Sequence, residues 1–318
     1  MDGIQPRPTR VPSLPLSTNT LESEEKFTSN NFNIRSRRHF YIRGILAFLI
    51  CTTVTVGSFY FFHRLQASQQ TMDTQTKVSA QYPNSPTPAV QSQTEAPLQP
   101  YLTNFSERSQ GGGVVVIDLK SNETVSSNPD KVFTAASLYK LFVAESVYRA
   151  IEDGRIKPST STYNCLRIMI TISDNRCGEL LGSMVGWDRQ NPRLHQLGYT
   201  HTRLSTYGPQ QTTAHDTALL LQRLYHGELL NTLHTQSLLS HLKDQTINNR
   251  LPTGLPPGTT IAHKTGDLNG YVHDAGIVLH QDSQYVIVAL SGPWKNSANA
   301  PAQFKQLSHN IHTTMLKK

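Results

Sequence analysis

Three textures of hydrophobic and polar positions follow one another along the chain. Residues 1–43 open as a polar stretch rich in Ser, Thr, Asn and Pro with no lasting apolar period, the pattern of a segment that stays disordered. From Gly44 to Phe62 the run is apolar and uncharged, long enough for a helix to cross a bilayer core of about 30 Å. Residues 63–100 mix Gln, Ser and Thr with Pro83, Pro86, Pro88, Pro97 and Pro100, which reads as a flexible stalk. Only from residue 101 to 318 do apolar residues recur with the periods of a folded domain.

Within that domain, Val114 to Asp118 is a β-branched run. It is followed by a Ser121-Asn122 turn and a second extended piece around Thr124 to Ser126, which makes a hairpin. A helix then begins at Ser137, carries Leu141, Phe142, Val147, Tyr148 and Ile151 on its apolar face, and stops at Gly154. Leu166 to Ile172 reads as a short apolar helix that delivers Ser173-Asp174-Asn175. Further helices continue to about Leu242, one of them from Thr217 to Leu230. Past Gly258 the period changes to that of strands. Thr259–Lys264, Val272–His280 and Gln284–Ser291 form an antiparallel meander, and a last helix presents Phe304, Leu307, Ile311 and Met315. The expected fold class is α/β of the α+β kind: an antiparallel five-stranded sheet built from N- and C-terminal pieces, flanked by helices, with an all-helical lobe between. One transmembrane helix precedes it, and the cleft between sheet and lobe is the natural ligand site.

Charge orients this picture. Arg35, Arg37, Arg38 and Arg43 precede the apolar run and Arg64 alone follows closely, so the tail is expected in the cytoplasm and the domain outside the cell membrane. Val78-Ser79-Ala80 offers the small residues of a signal-peptidase site, but it lies far beyond the apolar run, and a retained anchor is the preferred reading. The net charge of +7 is spread along the chain, with no basic helix interleaved with aromatics, so nucleic acid is not an expected partner. Thirteen histidines fall in no metal-ligand spacing, so no metal and no cofactor is expected. Cys165 and Cys177 lie in helical segments as buried thiols or as a bridged pair; the sequence leaves both open.

The candidate chemistry is concentrated in three short motifs. Ser137 and Lys140 are three positions apart at a helix start, so hydroxyl and amine are neighbours on one face. Isolated pairs of this spacing are common, and Ser23/Lys26 and Ser240/Lys243 are two that carry no further signal. Ser173-Asp174-Asn175 alone reads as a helix cap, and Lys264-Thr265-Gly266 alone as a strand approaching a turn. Taken in this order, the three motifs resemble those of the penicillin-recognising serine enzymes, the class A β-lactamase-like family above all, over roughly Gly111 to Lys318.

The resemblance implies a role for each residue. Ser137 attacks a carbonyl carbon, Lys140 takes its proton, and Ser173 relays a proton toward the leaving nitrogen. Asn175 holds the substrate amide oxygen, Lys264 and Thr265 receive a carboxylate, and Gly266 leaves room for an extended substrate along the strand. The backbone N–H groups of Ser137 and Asp267 form the oxyanion hole. The expected partners are a β-lactam or a D-Ala-D-Ala-type peptide.

Three departures from the family pattern qualify this. The loop Arg203–Thr213 holds no carboxylate where such enzymes carry a water-activating glutamate, and Asp216 and Glu228 read as structural. The stretch between Ser137 and Ser173 is short, so the cleft is expected to be open. The strand Val272–Ile277 has no arginine where some β-lactamases place one for the substrate carboxylate; His273 or Asp274 either borders the site instead or serves the turn at the strand end. The sequence therefore supports an anchored serine hydrolase acylated by β-lactams, with turnover ranging from slow, for want of the loop glutamate, to appreciable. The alternatives are a D-Ala-D-Ala carboxypeptidase or peptidoglycan acyltransferase, and a catalytically silent cell-wall or partner-binding protein.

Overall fold

The computed structural model describes residues 97–317. The expected tail, transmembrane helix and most of the stalk lie outside the described residues, and among those described no helix is long and apolar enough to cross a membrane. The first element is a helix, α1 (Gln99–Arg108), which sequence periodicity did not reveal; Pro100 in its first turn is a common helix opener. Leu98, Leu102 and Phe105 are buried, so this helix belongs to the core and begins inside the expected stalk.

β1 (Gly113–Asp118) and β2 (Thr124–Ser127) form the expected hairpin. After β3 (Phe133–Thr134) comes a 3-10 turn, Ala136–Leu138, and only then α2 (Tyr139–Glu152). Ser137 therefore sits in the turn ahead of the α-helix rather than on its first turn. The helical lobe continues with α3 (Thr160–Thr171), α4 (Asn175–Val185), α5 (Asn191–Gln196), β4 (Gln211–Thr212), α6 (Ala214–Tyr225) and α7 (Thr232–Lys243). The helix expected from Thr217 to Leu230 starts earlier, where Thr213 caps the Asp216 N–H, and ends earlier, because Gly227 turns the chain with φ +73. Three long strands follow: β5 (Thr260–Leu268), β6 (Tyr271–Leu279) and β7 (Gln284–Ser291). The described chain closes with α8 (Ala300–Met315).

The sheet order is β2-β1-β7-β6-β5 with every pairing antiparallel, so the N- and C-terminal pieces meet at β1 and β7. Strand alternation divides the side chains between two cores. Val114, Val116, Tyr285 and Ile287 face Phe105 of α1 and Phe304, Leu307 and Ile311 of α8. Val115, Ile117, Val286 and Val288 face the other way, into the helical lobe with Leu141, Phe142, Leu220 and Leu221. β5 is left as an edge strand, and its end runs directly beside the Ala136–Leu138 turn.

Cys165 of α3 and Cys177 of α4 are joined as a disulfide, which resolves the alternative left open by the sequence. The bridge ties together the two helices whose junction carries Ser173.

Candidate active site

Four segments converge where β5 meets the helical lobe. The 3-10 turn supplies Ser137, and the start of α2 supplies Lys140, whose side chain is fully buried. The α3–α4 junction supplies Ser173 and Asn175, and β5 supplies Lys264, Thr265 and Gly266. Two non-glycine residues here adopt left-handed backbone, Ala136 at φ 45 and Ser173 at φ 61. Such a conformation costs about 1–2 kcal/mol per residue, so the surrounding packing must hold it. Asp174 does so in part. Its Oδ1 accepts the Cys177 N–H at 2.7 Å, so the middle residue of the motif is the helix cap while its neighbours turn toward the cleft.

Lys140 Nζ is the hub. It lies 3.1 Å from Ser137 Oγ, 2.6 Å from the Ser173 carbonyl oxygen, 2.7 Å from Asn175 Oδ1 and 3.3 Å from Ser173 Oγ. The carbonyl and the amide oxygen can only accept. They take two N–H bonds, which in a neutral amine leaves one lone pair for the Ser137 hydroxyl. Burial pushes Lys140 down to about 8, against the opposing charges of Asp174 and Glu179. Lys264 Nζ donates to Ser173 Oγ at 2.8 Å and to the Thr265 carbonyl at 2.8 Å. Burial and then the nearby Lys140 cation bring Lys264 down to about 7, so this second amine is also poised near neutrality. Because Ser173 Oγ bridges the two, they give up protons as a pair.

Gly266 is where β5 touches the serine turn. A Cβ there would stand 3.2 Å from the Ala135 carbonyl oxygen, 3.2 Å from Ala136 Cβ and 3.3 Å from Ser137 N. A side chain there would press on the turn, so glycine lets β5 run close beside Ser137. Gly178 plays a similar part on α4, since a Cβ there would meet Tyr139 Oη at 2.5 Å and Lys140 Cε at 2.9 Å.

The structure also bears on two of the departures, the loop and the strand without arginine. Arg203–Thr213 is a tight loop: Ser205 Oγ accepts the Gly208 N–H at 3.0 Å, and Thr206 Oγ1 donates to Asp188 at 2.6 Å. No carboxylate is supplied by the loop itself. Asp216 is buried and receives His201 N and Thr202 Oγ1, a structural role as expected, while Glu228 is exposed beyond the end of α6. His273 and Asp274 do not line the cleft. His273 is buried, pushed down to about 4, and donates from Nε2 to the Thr134 carbonyl while Nδ1 accepts the Ser291 N–H. Asp274 Oδ1 is 2.8 Å from His263 Nδ1 beneath β5.

Two charged residues of the site were missed in the sequence. Arg250, in the segment before β5, is buried, donates from Nη1 to the His273 carbonyl at 2.7 Å and pairs with the Asp267 carboxylate. It offers a guanidinium from a direction other than the strand Val272–Ile277, and no local pattern announces it. Glu179 stands one helical turn beyond Asn175, the i+4 spacing that puts both on one face of α4, and its charge reaches Lys140 and Tyr139. Among the described residues no group of three or more His, Cys, Asp or Glu side chains could hold a metal ion.

A serine hydroxyl, two buried amines and a bridging second serine, set at a strand edge beneath a helical lobe, define an active-site-serine hydrolase. The chain belongs to the Beta-lactamase enzyme family, whose model matches residues 97–163 and 158–315. Among solved structures it is similar to PBP-A, with 25% identity and a TM-score of 0.63 over 70% of this chain and 98% of that one. A mutant of PBP-A described as an acyl-enzyme complex with penicillin G matches at 24% identity and TM-score 0.64 over 70% and 99% of the two chains. A β-lactamase from Sphaerobacter thermophilus DSM 20745 shares the fold at 21% identity and TM-score 0.61, over 69% and 97%. No curated protein matches the sequence.

Proposed function

We propose that this chain is a membrane-anchored, extracytoplasmic serine hydrolase that forms an acyl-enzyme with β-lactams and releases it slowly. The single observation that carries the reading is the environment of Lys140 Nζ, which has two acceptor-only partners and the Ser137 hydroxyl at 3.1 Å. In acylation the Lys140 lone pair takes the Ser137 proton as Oγ bonds to the lactam carbonyl carbon. The carbonyl oxygen becomes an oxyanion facing the N–H groups of Ser137 and Asp267. The C–N bond then breaks, and the leaving nitrogen receives a proton through Ser173 Oγ, which is replenished from the Lys264 or Lys140 ammonium. The Asn175 side-chain NH₂ and the Thr265 hydroxyl orient the substrate on either side of the bond.

Release needs a water whose proton is taken by a base. The loop Arg203–Thr213 supplies no carboxylate for that step, and this supports slow deacylation. The same absence favours a second reading, in which the natural donor is a peptidoglycan peptide and the acyl group passes to an acceptor other than water. The apolar run 44–62, with arginines concentrated on its N-terminal side, supports the anchor. The test is intact-mass spectrometry of the full chain after brief exposure to penicillin G, beside Ser137→Ala. An adduct of the drug's mass that persists in the wild type and is missing from the variant is expected. Rapid ring opening without an accumulating adduct would remove the slow-release claim, and an adduct retained in Ser137→Ala would remove the assignment of the nucleophile.

A further inference from the structure

We infer that the Cys165–Cys177 disulfide is a positioning element of this site: it holds the turn carrying Ser173 and Asn175 against the two lysines, so that acylation depends on the bridge being closed. The inference rests on Ser137 as nucleophile and adds a condition to that reading, activity confined to surroundings poor in thiol reductants.

Packing alone grips this turn weakly. Thr171 is the last buried residue of α3, and the next buried residue along the chain is Cys177. Between them Ile172, Asn175 and Arg176 are exposed and Ser173 and Asp174 half-buried, although Ser173 must keep left-handed backbone at φ 61. The α3 side of the turn is tied from the segment after α7, where Gln245 Nε2 donates to the Ile170 carbonyl at 2.9 Å and the Thr246 N–H to the Thr171 carbonyl at 2.9 Å. On the α4 side the anchor is covalent. Cys177, whose N–H meets Asp174 Oδ1 at 2.7 Å, is bonded to Cys165 in the middle of α3. The bridge therefore brackets Ser173 and Asn175 in a closed segment whose ends are 12 positions apart.

That segment supplies most of the surroundings of the base. The Ser173 carbonyl oxygen, Asn175 Oδ1 and Ser173 Oγ lie 2.6, 2.7 and 3.3 Å from Lys140 Nζ, and Ser173 Oγ accepts from Lys264 Nζ at 2.8 Å. A shift of about 1 Å in such a constellation costs up to about 10²-fold in rate. A dithiol reductant opens the bridge by exchange: two electrons and two protons pass to the cysteines, leaving two thiols, and the reagent closes into its own cyclic disulfide. The first turn of α4 is then released, while Leu181 and Val185 farther along the helix keep it in the core and the domain stays folded.

The experiment measures the second-order rate constant for adduct formation with penicillin G, by intact mass, in the full chain when oxidised, reduced with dithiothreitol and reoxidised. The double variant Cys165→Ala/Cys177→Ala is measured beside it, and near-UV circular dichroism gives the folded fraction of each sample. The rate per folded molecule is expected to fall about tenfold or more in the reduced protein and in the variant, and to return when the wild type is reoxidised. Burial is the main cause that lowers both lysines, so a loosened turn that admits water raises them, and the pH of maximum rate should move upward. Lost stability alone does not produce that movement. An unchanged rate per folded molecule, or a loss of rate that merely follows unfolding, would overturn the positioning role while leaving the nucleophile intact. Absence of an adduct in the oxidised wild type would overturn the nucleophile reading on which the inference rests.

Discussion

The pH dependence of acylation follows from the two amines. Below the lower of their two steps both Lys140 and Lys264 are charged and no base is present; above the upper step both are neutral and no cation remains. The working form is the singly protonated pair. With the two amines lowered to about 8 and about 7, the singly protonated pair is most populated at about pH 7.5, and its active arrangement is the one with the proton on Lys264 and the lone pair on Lys140. The rate of covalent labelling of Ser137 by a fluorescent penicillin, measured in buffers of constant ionic strength, should therefore follow a bell with a roughly 20-fold fall two pH units from its maximum. An unburied lysine, titrating at about 10.4, would give a rate still climbing beyond pH 9. Such a climb, or a level profile from pH 5.5 to 9.5, would refute the argument that desolvation creates the base.

Three other outcomes follow from particular contacts. Glu179→Gln removes a charge that holds the Lys140 proton in place, so the acid side of the bell should move to lower pH; an unmoved profile would show that Glu179 does not act on the amine. Gly266→Ala forces a methyl group to about 3.2 Å from the serine turn, and the acylation rate should drop about tenfold or more with the melting temperature little changed. A normal rate would mean that the strand does not set the site's geometry. Reducing Cys165–Cys177, a link between residues 12 apart, should lower unfolding free energy by about 3 kcal/mol, seen as a lower urea midpoint with reductant than without; coincident curves would argue against a stabilising bridge.

The parts of this account that sequence made legible are those with local signatures. The β-branched runs of β1 and β5–β7 and the apolar faces of α2 and α8 carry their period within a few residues, and the three motifs each occupy one short segment. The illegible parts arise from contacts distant in the chain. Arg250 joins the site through the His273 carbonyl and Asp267, residues of two strands it precedes, and nothing beside it in sequence marks the pairing. Helix α1 was hidden because its Gln, Ser and Pro content continues that of the stalk, although Leu98, Leu102 and Phe105 hold it to the sheet. The left-handed backbone of Ser173 cannot be read from a serine; packing against Lys140 and Lys264 fixes it. His273 looked like a neighbour of the site because it stands near the strand end, yet alternation turns its ring inward to Thr134.

The central claim is that a buried neutral lysine turns Ser137 into an acyl acceptor. The most direct measurement is peptide mapping of the full chain after labelling with a β-lactam, comparing wild type with Lys140→Met. The account predicts the label on the peptide containing Ser137, on that hydroxyl, with labelling reduced about 10²-fold or more in the variant. A label on another residue, or undiminished labelling of Ser137 without the Lys140 amine, would contradict it.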